Sequence, residues 1–141
     1  MNSKTYINKS LEELENDYWG EPSYDSHLVK TCHSLRKKPL KDFETKDLRI
    51  LIGQSFSLDI LIPLAFIELE KNILAEGDCY EGDLLVSVLN SNKKYWINNS
   101  EKWLKLCDLI SNNIDTIINS DNPDEIKNDI FILFEKFKKI K

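Results

Sequence analysis

The stretch Leu58-Asp59-Ile60-Leu61-Ile62-Pro63-Leu64-Ala65-Phe66 is apolar on nearly every side of a helical projection. An element with no face to give to water belongs at the centre of a fold, and the rest of the chain must wrap around it. The run continues to Leu74, with charge returning at Glu68. Pro63 complicates it: inside a helix a proline removes one hydrogen bond and costs ~3 kcal/mol. The expectation is a kink, or a helix that starts close enough to hold Pro63 in its first turn. A buried strand over Leu58–Ile62 is the competing assignment. With Asp59 and Pro63 inside it and far fewer than the ~20 residues that span a bilayer, the segment is no membrane anchor.

The shell around it reads as helical. Ser10-Leu11-Glu12-Glu13 fits a capping box, opening a short helix that runs out near Trp19-Gly20 before Glu21-Pro22-Ser23. Leu28, Cys32 and Leu35 recur at helical spacing from Asp25 or Ser26 to Arg36, and Pro39 stops that helix. Thr45 is placed to cap a third helix, with Asp47 in its first turn and Leu48, Leu51 and Ile52 inward; Gly53 and Ser57 punctuate before the central run. Asp83 is placed to cap a short helix through Leu89, and residues 90–92 form a loop. Ser100 opens a long amphipathic helix with Trp103, Leu106, Cys107, Ile110, Ile114, Ile117 and Ile118 on one stripe. Asn122-Pro123-Asp124-Glu125 starts a last helix, striped by Ile126, Ile130, Leu133, Phe134 and Phe137 and ending among Lys136, Lys138, Lys139 and Lys141. These signals predict an all-α fold, a compact single-domain bundle of six or seven helices. A chain of 141 residues is long enough for one proper core.

Charge excludes some functions. The net charge is −5, and the acidity is uneven: residues 1–90 hold 10 Lys and Arg against 16 Asp and Glu, residues 91–141 hold 9 against 8. An acidic chain is a poor nucleic-acid binder, and the basic run Lys30, Arg36, Lys37, Lys38, Lys41 reads as a solvated helix end. The N-terminus lacks the apolar core of a secretory signal, and three cysteines (Cys32, Cys79, Cys107) leave no even pairing. Both point to a reducing cytoplasm.

Catalytic and metal chemistry finds little support. His27 and His33 lie six apart, roughly 240° around a helix, and cannot share a metal. Cys32 beside His33 is the nearest thing to a nucleophile and base, and no phosphate-cradling glycine loop exists. The expectation is no cofactor, no metal and no catalysis.

Binding is better signalled. The segment Glu76-Gly77-Asp78-Cys79-Tyr80-Glu81-Gly82-Asp83 carries two of the chain's four glycines, so it asks the backbone for a tight acidic loop. With Glu68 and Glu70 just upstream, the candidate contact residues for a basic partner are Glu68, Glu70, Glu76, Asp78, Tyr80, Glu81 and Asp83, Tyr80 being the aromatic anchor. Trp103 reads as core; Trp19 and Trp96, flanked by polar residues, read as partly exposed.

Leu48-Arg49-Ile50-Leu51-Ile52-Gly53-Gln54, Leu61-Ile62-Pro63-Leu64-Ala65 and the run Gly77 to Leu85 together resemble the immunity proteins of bacterial contact-dependent growth inhibition (CDI) systems. Tyr18-Trp19-Gly20 and Cys32-His33-Ser34-Leu35-Arg36-Lys37-Lys38-Pro39-Leu40 resemble the same family's N-terminal part. The likeness spans Leu11 to Leu89; the helices over 100–141 are generic. It implies a cytoplasmic antitoxin, a monomer when free, that binds the C-terminal toxin domain of a large surface protein one to one. The implied toxin is a nuclease, a ribonuclease of RNase A-like type among the options, blocked by steric and electrostatic occlusion. Residues shared across a family whose toxins differ tend to hold the fold. The Gly-Asp motif therefore has a second reading, with Asp83 a buried cap and contacts moved to Glu12, Glu13, Glu15, Asp17 and Trp19 or to the C-terminal helices. The alternative functions are a small helical enzyme or regulator using His33 and Cys32, and a helical adaptor without a toxin partner.

Overall fold

The computed structural model describes residues 6–23 and 26–140. Among them run α1 (Leu11–Glu15), α2 (His27–Lys37), a 3-10 turn (Leu40–Asp42), α3 (Thr45–Gly53), α4 (Leu58–Lys71), α5 (Asp83–Leu89), α6 (Lys93–Ile97), α7 (Ser100–Ser111), α8 (Ile114–Ile118) and α9 (Asp124–Lys138). The fold is all-α. The described residues hold no strand beyond a single antiparallel bridge between Glu76 and Glu81. Asp25 and Lys141, read from sequence as a helix start and a helix-end cation, lie outside the described residues.

Helix α4 takes the centre, burying Leu58, Leu61, Ile62, Ala65, Phe66 and Leu69. It begins after Ser57 (φ 52°), so Pro63 falls inside it and no strand forms over Leu58–Ile62. Pro63 has no N–H for the Asp59 carbonyl one turn back, and the local cost is offset by the six buried apolar side chains; the helix still leaves one face to solvent, with Asp59 and Ile67 exposed. α3 packs on both α4 and α5, α9 packs on α5, α1 on α2 and α6 on α7. One core runs from Leu11 through Leu51, Ile62 and Leu85 to Phe137.

Among the described residues nine α-helices stand where six or seven were expected, for local reasons. The long amphipathic stretch is cut at Asn112–Asn113, where the Asn113 amide donates to the Leu109 carbonyl at 2.8 Å and competes with the helical ladder. Residues 93–97 add one more turn-length helix, capped by Asn92 Oδ1 accepting from Lys94 N at 2.9 Å. Boundaries also shift. The Ser10 capping box is present, Ser10 Oγ accepting from Glu13 N at 3.3 Å, but α1 ends early at Asn16 (φ 50°). Glu44, not Thr45, precedes α3, with Glu44 N donating to Asp47 Oδ2 at 2.9 Å.

Several side chains reverse their expected exposure: Leu28 and Ile118, read as members of inward apolar stripes, are exposed. Trp96 is fully buried, its Nε1 donating to Ser91 Oγ at 2.9 Å and its ring edge-on to Phe137 at 4.9 Å. Its polar sequence neighbours misled because burial here is set by α9, which lies far away in sequence. Arg36, read as part of a solvated basic run, is 2% exposed.

Gly82 shows why glycine is needed before α5. Its φ is +99°, and a Cβ would sit 3.1 Å from Leu74 Cδ2 and 3.2 Å from Ile130 Cδ1. Gly82→Ala should therefore cost about 2 kcal/mol through backbone strain alone, with crowding added. Urea unfolding checks this, and a midpoint equal to wild type would contradict it.

Candidate functional site

The acidic loop is built around one buried carboxylate. Asp83 is 3% exposed; its Oδ1 accepts from Gly77 N at 2.6 Å and its Oδ2 from Cys79 N at 2.9 Å and Tyr80 N at 3.4 Å. From α3, Arg49 Nε lies 3.6 Å from Asp83 Oδ2 and donates to the Gly77 carbonyl at 2.6 Å. Gly77 itself lies against the start of α3, where a Cβ would meet Lys46 Cα and the Thr45 carbonyl at 3.1 Å. Asp83 thus caps the loop instead of the helix it begins: Gly82 holds the N-cap position of α5. Being buried, Asp83 has no carboxylate oxygen to offer a partner.

The pin leaves Glu76, Asp78, Cys79 and Glu81 exposed, with Asp78 in the left-handed region (φ 76°). Tyr80 is half-buried between them. Burial pushes its phenol upward, helped by Asp83 and Asp129 against the opposing Arg49, so it remains a neutral donor at ordinary pH. The six expected acids are not equal. Glu70 pairs with Lys105 at 3.0 Å, Glu68 with Lys71 at 3.6 Å, and Asp78 reaches Lys46 only at 3.9 Å. Among the described residues Glu76 and Glu81 make no ion pair. Of these six, the acids least compensated by a cation are those on the loop.

The C-terminal third, near neutral in sequence, adds to this face. Asn122 Nδ2 donates to the Glu81 carbonyl at 2.7 Å and brings the α8–α9 corner against the loop. An open cleft of about 530 Å³ results, lined by Glu81, Asp115 and Asp121 with Asn72, Asn119 and Ser120. Sequence reading missed Asp115 and Asp121 because charge counting sees only neighbours along the chain. The one legible hint was the strong start signal at Asn122-Pro123, which fixes where the corner turns.

The second candidate surface is mostly a clamp. Glu12 is buried, at 8% exposure, and faces no partner. Arg36 Nη1 donates to Glu15 Oε1 at 2.6 Å, its Nη2 donates to the Asp17 carbonyl at 2.8 Å, and its guanidinium lies 4.4 Å over the Trp19 ring. Glu13 is spent on the capping box. Trp19 also meets His33 and Phe56 edge-on at 5.0 Å. These residues join α1 to α2, and Glu13, Glu15 and Asp17 remain the exposed acids among them, Glu15 already paired with Arg36.

Cys32 and His33 do not form a reactive pair. Cys32 is buried and burial raises its thiol pKa, the reverse of what a nucleophile needs, while His33 Nδ1 is 3.0 Å from the Gly20 carbonyl. Cys107 is likewise buried, its thiol pushed up by burial and then by Asp108. Thiol titration of the native protein should find one fast cysteine, Cys79, and two that react only on unfolding. A C79S variant that still reacts fast would contradict this. No group of three or more His, Cys, Asp or Glu is arranged to hold a metal ion among the described residues. No helix among them is long and apolar enough to cross a membrane.

A family model described as CDI immunity proteins matches residues 13–106. No curated protein and no solved structure matches the chain. The matched span contains Arg36, Asp47, Arg49 and the whole Gly-Asp loop, and it ends before Asp115 and Asp121.

Proposed function

Because the chain belongs to the CDI immunity proteins, we propose that it protects its cell by binding one cognate CDI toxin domain, one to one, through the face formed by Glu76, Asp78, Tyr80 and Glu81. The observation that carries this is the pinned loop: it holds Glu76 and Glu81, which make no ion pair among the described residues, and Asp78, whose Lys46 is 3.9 Å away, beside a cleft lined by Asp115 and Asp121. A rigid surface of unspent negative charge complements a cationic one, and it loses little conformational entropy on binding. The toxin is a nuclease, and a ribonuclease fits best, because a site that holds phosphates must be basic and an acidic inhibitor can take the place of the nucleic-acid backbone. Inhibition is by occlusion, in the cytoplasm, and the protein turns over no substrate.

Co-expression with the toxin encoded beside it tests the reading. Cells should survive with the immunity protein and die without it, and purified toxin should lose nuclease activity at one equivalent. Death despite abundant folded protein would sink it. The enzyme reading is tested by changing His27 and His33 together to alanine, which should leave protection intact.

A further inference from the structure

We infer that the trough between the α5–α6 corner and the last turns of α9 is a second docking surface, shaped for an acidic amphipathic helix of a partner protein. Its floor is apolar, made of Leu89, Leu133, Phe137 and Ile140, and its rim carries Lys93, Lys136 and Lys139 around a volume of about 390 Å³. No carboxylate lines it. Among the described residues none of the three rim lysines makes an ion pair, whereas neighbouring Lys138 is held by Glu135 at 2.6 Å.

Local preference accounts for only part of this. Lys136 and Lys139 complement the negative end of α9. Lys93 sits in the first turn of α6, where the helix dipole gives a cation no stabilisation. Two separate elements converge their cations on one apolar floor. A helix laying an apolar stripe on Leu133 and Ile140, the two floor residues that stay partly exposed, with acids along its flanks, would satisfy both features. The floor offers no stacking platform for bases, since Phe137 is 1% exposed, and this disfavours nucleic acid.

The trough is separate from the acidic face. α9 starts next to Asn122, which is bonded to Glu81, and ends in the trough. At 1.5 Å per residue the two ends of α9 lie roughly 20 Å apart. The molecule therefore presents opposite charges at opposite ends of one helix, and a partner drawn to one end is repelled by the other.

The test uses the full chain and a synthetic helical peptide of about three turns, with leucines at i, i+3 and i+4 spacing and glutamates elsewhere. Tryptophan fluorescence follows it, since Trp96 touches Phe137 at 4.9 Å and Trp103 Nε1 donates to the Phe137 carbonyl at 2.9 Å. The expected result is a saturable change, weakened roughly tenfold by K136E/K139E and separately by K93E, and lost with a scrambled peptide of the same composition. Circular dichroism confirms that the variants are folded. Equal binding of the scrambled peptide, no saturation at millimolar concentration, or indifference to the lysine changes overturns the proposal. Tighter binding of an RNA oligonucleotide, or self-association that the peptide fails to disrupt, also overturns it.

Discussion

Asp83→Ala should lower the melting temperature by roughly 10 °C and is the most damaging single change expected in this chain. The substitution removes one carboxylate and strands several groups together. Gly77 N, Cys79 N and Tyr80 N lose their acceptor, and Arg49 loses its nearby anion. Breaking a buried charge pair by deleting one partner costs about 3–5 kcal/mol, because the remaining groups stay desolvated and unpaired. For a domain of this size each kcal/mol moves the melting temperature by about 2–4 °C. Asp83→Asn should be nearly as costly, since an amide keeps one acceptor oxygen and turns an NH₂ group toward backbone donors. Calorimetry measures the effect; a shift under about 2 °C would show that the loop does not depend on its carboxylate. The sharper check is binding by the fraction that stays folded at low temperature. Toxin affinity should fall even though no contact residue is removed, because Asp83 supports the surface without being part of it and an unpinned loop must be ordered on binding.

That distinction marks how far the sequence could be read. Helix signals were legible because they are local: the Ser10 box, the apolar run Leu58–Phe66 and the Pro123 start act over a few residues, and each produced its element. What failed needed distant partners. Arg36 looked like one cation in a solvated run, yet Glu15, Asp17 and Trp19 draw it inward from roughly twenty residues upstream. Trp96 looked surface-bound until α9 covered it. For the site, Glu76, Asp78 and Glu81 were readable as a charged cluster and Asp83 as a buried cap in the second reading, while the burial of Glu12 was not. A sequence pattern does not separate an acid that faces water from an acid that caps backbone. The residues carrying the family resemblance are largely this second kind. Arg36, Arg49, Gly77, Gly82 and Asp83 hold the loop and the clamp, and the exposed acids ride on them.

Reversing the exposed acids together, E76K/D78K/E81K, should slow toxin association by about a hundredfold at low salt and leave the fold intact. All three side chains are exposed, the long 3.9 Å contact from Asp78 to Lys46 is weak, and a lysine at the left-handed Asp78 position (φ 76°) costs about 1 kcal/mol, so the fold should hold with a modest loss of stability. The kinetic effect is larger because opposite charge steers encounter by factors of 10 to about 1,000, and this variant converts attraction to repulsion. At 1 M salt, where the Debye length is about 3 Å, the gap between variant and wild type should shrink markedly. The matched control is E68K/E70K. Glu68 and Glu70 already have Lys71 and Lys105 beside them, so reversing them should matter several-fold less. Adding D115K/D121K to the loop variant should slow association again, since both line the cleft shared with Glu81. Stopped-flow association at several ionic strengths separates these cases. An unchanged rate for the triple variant, with the toxin still neutralised, would mean that the toxin docks elsewhere. Glu13 and Asp17, the exposed acids of the α1 clamp other than the Arg36-paired Glu15, would then be the next to reverse.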